Sequence, residues 1–128
     1  MNKEIIHTNK APEAVGPYSQ AVACSANKLV FLSGQIGLDP NTGKLIEGDF
    51  ELQVRQSFNN MQAVIEASNA TLANVVKMNL FLTDLTKFDV VNKIMSEIFP
   101  KPFPSRSTVG VLNLPKSAEF EVEAILAL

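Results

Sequence analysis

Arg106 stands in the stretch Phe103-Pro104-Ser105-Arg106-Ser107-Thr108-Val109-Gly110. Its guanidinium is a rigid fork of N–H donors that grips a carboxylate through two parallel hydrogen bonds. A proline-stiffened backbone just ahead of a strand is a good mount for aiming such a fork. The plainer reading is a solvated arginine or an internal ion pair, the commoner fate of this residue type. Glu121 lies in Glu119-Phe120-Glu121-Val122-Glu123. Three carboxylates on one strand face repel one another, so at least one needs a partner or a raised pKa. A carboxylate in that position can orient water or shuttle protons. Its plainer reading is a solvent-facing acidic stripe.

Tyr18 is the only tyrosine, in Gly16-Pro17-Tyr18-Ser19-Gln20. A lone tyrosine is more often a packing residue with its hydroxyl tied up. Ser33-Gly34-Gln35 ends a strongly apolar run, and the bare Gly34 lets a ligand approach the backbone. It also fits a bulge or turn. His7 is the only histidine and Cys24 the only cysteine. A Ser-His-Asp or Cys-His mechanism would have to use His7, which is expected to be exposed near the chain start. Cys24 reads as a small buried hydrophobe. Two such residues make no zinc site without further ligands, and no phosphate loop or dinucleotide fingerprint occurs. Any catalysis must run on arginine, glutamate, tyrosine, hydroxyls, backbone groups and water.

The elements that hold these residues follow from periodicity. Residues 3–7 read as an edge strand and 11–17 as an ordered loop. Runs at 19–24 and 28–35 flank Ser25-Ala26-Asn27 and read as a β-hairpin. Asp39-Pro40-Asn41-Thr42-Gly43 is a turn. Asp49 caps a helix over 50–68, with Val54, Phe58, Met61 and Ile65 on one face and Asn69 ending it left-handed. Residues 75–82 alternate as a strand, Val76, Met78, Leu80 and Leu82 on one side. A second helix spans 87–99, with Thr86 and Asp89 as a capping box. Strands at 106–112 and 119–127 close the chain around Leu114-Pro115-Lys116. In the last of these, Phe120, Val122, Ala124 and Leu126 suit the helix-facing side.

The 128 residues are enough for one domain, 1–128. Hydrophobic residues make up 46% and charged residues 19%, the balance of a globular chain. Both helices are expected on one face of a mixed sheet, a two-layer α+β architecture. The other face must then be polar or covered by another subunit, and oligomerisation is the economical solution. A net charge of −2 gives no general attraction for phosphate backbones. The single cysteine and the absence of an apolar leader or spanning run point to the cytoplasm and away from a membrane.

Several motifs fall in one order along the chain: Gly16-Pro17-Tyr18-Ser19-Gln20-Ala21, Leu32-Ser33-Gly34-Gln35-Ile36, Asn92, Pro104-Ser105-Arg106-Ser107-Thr108-Val109, Leu114-Pro115-Lys116 and Glu121-Val122-Glu123-Ala124-Ile125. Each is weak alone. Together they resemble the RidA subgroup of the reactive intermediate deaminase (Rid/YjgF) family over essentially the whole chain. The resemblance implies a chorismate-mutase-like fold, assembled as a homotrimer with active sites between subunits. It implies hydrolysis of the enamines and imines released by amino-acid dehydratases, such as 2-iminobutanoate and 2-iminopropanoate. The products are 2-keto acids and ammonia, and no metal or cofactor is required. In that scheme Arg106 holds the substrate carboxylate and Glu121 positions the attacking water. Backbone groups of Gly34 and Thr108 line the site, Ser33 lies nearby, Tyr18 arrives from the adjacent subunit, and Asn92 stands near the cleft. The chain departs from the family pattern in a loop from 99 to 106 that looks short and in Thr108, where many relatives carry cysteine. Two other readings compete: a non-catalytic keto-acid-binding module, and a ribonuclease or translation inhibitor. The acidic balance and the lack of a basic, aromatic stripe weigh against the last.

Overall fold

A computed structural model describes residues 2–128. The strands are β1 (Asn2–Ile6), β2 (Ala21–Ser25), β3 (Leu29–Gln35), β4 (Val75–Leu82), β5 (Ser105–Gly110) and β6 (Phe120–Ala127). The helices are α1 (Phe50–Ala67) and α2 (Phe88–Ile98). A four-stranded mixed sheet runs in the order β3-β6-β4-β5, with β4 and β5 parallel and the other pairs antiparallel.

The α1 helix forms where its caps and apolar stripe agree. Asp49 accepts a hydrogen bond from Leu52 N at 3.0 Å, and Asn69 takes φ 57° beyond the last turn. Phe50, Val54, Phe58, Met61 and Ile65 are buried at helical spacing. They meet Met78, Leu80, Leu82, Phe120, Val122 and Leu126 of the sheet in one core. The Phe58 ring stands edge-on to Phe99 at 6.1 Å and tilted on Phe120 at 5.6 Å. Burying each such ring or large aliphatic side chain stabilises the fold by about 1.5–3 kcal/mol.

The strand pairing departs from the expected hairpin. β2 pairs with β1, Lys3 opposite Cys24, while β3 pairs with β6. The reason lies at the link between them. Asn27 and Lys28 donate to Leu128 O at 2.9 and 3.1 Å, and Leu128 N donates back to Lys28 O. These bonds commit β3 to the last strand and send β2 elsewhere. The β1–β2 ribbon stands outside the four-stranded sheet and lies against the lead into β5. Ser19 N donates to Pro104 O at 3.0 Å, Ser19 Oγ to Phe103 O at 2.6 Å, and Lys3 Nζ to Pro102 O at 3.1 Å. Cys24 is therefore exposed, not buried as its type suggested, because little of the ribbon is roofed by another layer.

Two smaller expectations also change. A register shift between Val75 and Lys77 puts Val75, not Val76, in the core beside Met78, Leu80 and Leu82. Thr86 caps nothing. Asp84 accepts from Thr86 N and Oγ1 at 3.0 and 2.6 Å and starts a single 3-10 turn that runs into α2. Among the described residues no helix is long and apolar enough to cross a membrane.

Candidate active site

Strand register decides which way each candidate points. Arg106 and Thr108 lie level with Met78 and Leu80 of β4, which are wholly buried toward the helices. Both side chains therefore leave the sheet on its helical side, at the edge formed by β5. Glu121 lies level with Phe81 and leaves on the opposite face, between the buried Phe120 and Val122.

On the helical side, the Arg106 guanidinium sits between two aromatic rings. Its central carbon is 5.0 Å from the Tyr18 centroid and 5.1 Å from the Phe88 centroid. Arginine over an aromatic face is attracted by the ring quadrupole, the more so when water is excluded. Nη1 donates to the Met95 sulfur at 3.2 Å, a weak acceptor. Among the described residues no carboxylate pairs with Arg106; the ion pairs use His7, Arg55, Lys87 and Lys93. Burial accordingly pushes the Arg106 pKa down from its ordinary value, with the Tyr18 hydroxyl pulling weakly the other way.

Two more polar atoms near this corner are buried without a partner among the described residues, Asn92 Oδ1 and Thr108 Oγ1. Asn92 belongs to the stripe Phe88, Asn92, Met95, which α2 turns toward Arg106. Gly16 closes the corner from the loop. A Cβ there would lie 3.1 Å from Arg106 Nη2 and 3.7 Å from both polar atoms of the Asn92 amide. Beside it opens a depression of about 640 Å³ lined by Gly16, Pro17, Asn92, Lys93, Ser96 and Lys101 among others. Tyr18 is held in turn, its hydroxyl accepting from Val15 N at 3.3 Å and its own N–H donating to Gly16 O at 2.8 Å. Tyr18 reaches Arg106 of its own chain, because Ser19 is bonded to the segment immediately before Arg106.

On the other face, Glu121 lies across Gly34. A Cβ on Gly34 would fall inside the space of the Glu121 carboxylate, 2.8 Å from its Cδ. Glycine at that position is what lets the acid lie against the strand. The three acids do not share one face as expected: Glu123 accepts from Asn79 Nδ2 at 3.1 Å on this side, while Glu119, ahead of β6, turns to the helical layer and accepts from Lys87 Nζ at 2.8 Å and Gln53 Nε2 at 3.4 Å. Ser33 is exposed beside Gly34. His7 is exposed and bound to Glu13 at 2.9 Å.

Tyr18, Asn92, Arg106 and Thr108 thus gather in one corner, while Ser33, Gly34 and Glu121 gather on the reverse of the sheet. The sequence reading did not assign Phe88, Met95 or Gly16 to the corner. The helical spacing of Phe88, Asn92 and Met95 was the available signal, since it puts the amide on the same stripe as the two apolar residues.

The family described as Endoribonuclease L-PSP matches residues 8–128. A 2-iminobutanoate/2-iminopropanoate deaminase of Dermatophagoides farinae is 46% identical over 126 residues, covering 98% of this chain and 97% of that one. The chain belongs to the reactive intermediate deaminase (Rid/YjgF) family. Among solved members of this family, RidA from an Antarctic Psychrobacter is 44% identical, with a TM-score of 0.75 over 98% of this chain and 99% of its own. E. coli TdcF, solved with bound serine, is 38% identical, with a TM-score of 0.74 over 98% of both chains. Family membership agrees with the α+β architecture and with two helices on one face of a mixed sheet.

Proposed function

We propose that this protein is an imine deaminase acting on small 2-imino acids such as 2-iminobutanoate and 2-iminopropanoate. The observation that carries the reading is a partly buried guanidinium, clamped between Tyr18 and Phe88, whose one hydrogen bond among the described residues goes to a thioether. Such a group is incomplete without an anion, and a planar carboxylate fits its fork. The substrate then arrives with its α-carbon next to the fixed carboxylate. Water adds to the electrophilic C=N carbon, a proton passes to nitrogen, the C–N bond breaks and ammonia leaves. R–C(=NH)–COO⁻ plus water becomes R–CO–COO⁻ plus ammonia. The chain's task is to orient the imine, place the water and move protons.

Glu121 is the proposed water-positioning base, seated on Gly34 with Ser33 beside it. It lies on the opposite face of the sheet from Arg106, so a site containing both takes one from each of two chains. The open face supports such an assembly: Phe31 is 70% exposed and Val109 45% exposed there, beside Lys77, Asn79 and Glu123. A homotrimer with three shared sites is the assembly we assign, in one domain spanning 1–128 and working in the cytoplasm.

The deciding assay generates 2-aminoacrylate or 2-aminocrotonate in situ with a dehydratase and follows keto-acid release. Acceleration that is lost in Arg106→Lys supports the proposal, since lysine keeps the charge and loses the fork. No acceleration at any protein concentration rejects it. Keto-acid binding without turnover would instead identify a metabolite-binding module. The family description raises RNA cleavage as a further possibility. A net charge of −2 and a sole histidine tied to Glu13 give that chemistry little to work with.

A further inference from the structure

From the buried, unpartnered Asn92 Oδ1 we infer that Asn92 is the residue that tells the imine from the keto acid. It does so by accepting a hydrogen bond from the substrate's α-nitrogen. The inference rests on Arg106 binding the substrate carboxylate. A buried acceptor left without a donor is destabilising, and folded chains keep few of them. A bound carboxylate occupies the Arg106 donors of this corner. The amide oxygen then still lacks an N–H. The α-nitrogen is carried by the carbon adjacent to the carboxylate, so it is the first substituent beyond the fork. Arg106 Nη2 and the Asn92 amide both lie within 3.7 Å of a single point, the Cβ direction of Gly16. A ligand anchored on one therefore presents its next atom to the other.

The polarity of the contact sets its meaning. An imine or iminium nitrogen carries a hydrogen and donates to the amide oxygen. The keto oxygen of the product carries none and meets that oxygen acceptor to acceptor. A site built around a substrate N–H disfavours the analogue that lacks it, because its own buried group is again left unpaired. Asn92 thus binds reactant over product at the one atom that changes. Thr108 Oγ1, the other unpartnered atom, is a hydroxyl. It can donate or accept and so does not discriminate.

The test uses two stable, planar carboxylates of one shape, pyrrole-2-carboxylate and furan-2-carboxylate. They differ in presenting N–H or O beside the carboxylate. Calorimetric titration of the wild-type protein is expected to give about fivefold to tenfold tighter binding of the pyrrole acid, the worth of one hydrogen bond. In Asn92→Leu that ratio collapses toward one while the furan acid still binds. In Thr108→Val both affinities fall together and the ratio survives. Asn92→Leu also removes a buried unsatisfied acceptor, so its melting temperature is expected to equal or exceed that of wild type. A ratio unchanged in a folded Asn92→Leu overturns the inference and leaves the carboxylate reading intact. If neither acid binds the wild-type protein, or both bind Arg106→Met as well as wild type, the carboxylate reading falls and the inference with it.

Discussion

The two faces of the central sheet treat their charged residues in opposite ways. Toward the helices, Arg106 is partly buried, stacked on two rings and without a carboxylate among the described residues, and its neighbours Asn92 and Thr108 also hold unpartnered atoms. On the open side, Glu123 has a hydrogen-bonded partner in Asn79 and Glu121 lies in a seat shaped by a missing side chain, while Glu119, just ahead of β6, turns to Lys87 and Gln53 of the helical layer. One region is polar chemistry left unfinished inside a dry corner. The other is a laced surface with a single acid set aside. The contrast teaches that unfilled bonding capacity is a better marker of a binding site than charge alone. Glu119, Glu121 and Glu123 look alike in sequence, and only their partners separate them.

The comparison can be broken from either side. The largest expected effect is on turnover in Glu121→Gln, which should lower keto-acid formation by about 10²–10⁴-fold if the acid moves protons. Keto-acid binding in that variant should persist, which titration checks. Arg106→Lys should weaken both turnover and keto-acid binding, by on the order of tenfold to a hundredfold for each fork bond lost. Equal loss of binding in the two variants would erase the distinction between the faces. Gly34→Ala forces Glu121 off its seat and should approach the Glu121→Gln defect in rate while leaving the melting temperature within a few degrees.

The next effect concerns stability. The folded Arg106 pKa lies below its unfolded value because burial disfavours the cation. The unfolded chain therefore holds its proton more tightly, and unfolding gains from that charge at neutral pH. Arg106→Met removes that buried cation but also its contacts with the Tyr18 and Phe88 rings, so it should abolish activity while leaving the melting temperature at pH 7 within a few degrees of wild type. A carboxylate ligand should raise the wild-type melting temperature and leave that of Arg106→Met unmoved. The smallest expected effect is from Gly16→Ala. Its Cβ, 3.1 Å from Arg106 Nη2, should shift the guanidinium by tenths of an ångström and weaken carboxylate binding severalfold.

Much of this was legible before any coordinates. Alternation along β6 already placed Phe120, Val122 and Ala124 inward and Glu121 outward, because a strand's period is a local property. The cap at Asp49 and the stripe of α1 were readable for the same reason. What the local sequence does not contain is alignment between distant strands. Arg106 faces the helices because it is level with Met78, 28 residues earlier in the chain, and nothing near residue 106 encodes that. The pairing of β3 with β6 is likewise fixed by the terminal Leu128, so the expected hairpin failed. The exposure of Cys24 follows from that same failure. The corner itself was half visible: Arg106, Asn92, Thr108 and Tyr18 were named, but their common side of the sheet was not.

One wall of the guanidinium corner is fastened differently from the rest. Tyr18 precedes a two-stranded ribbon whose residues are mostly exposed, tied to the body through Ser19, Lys3 and a few carbonyls. Phe88, on the other side of the cation, rises from a helix rooted in the core. Amide protons of 2–6 and 21–25 should therefore trade with solvent sooner than those of 75–82. The two walls that flank the fork therefore differ in what anchors them: one rests on a few hydrogen bonds to the lead into β5, the other on the packed core.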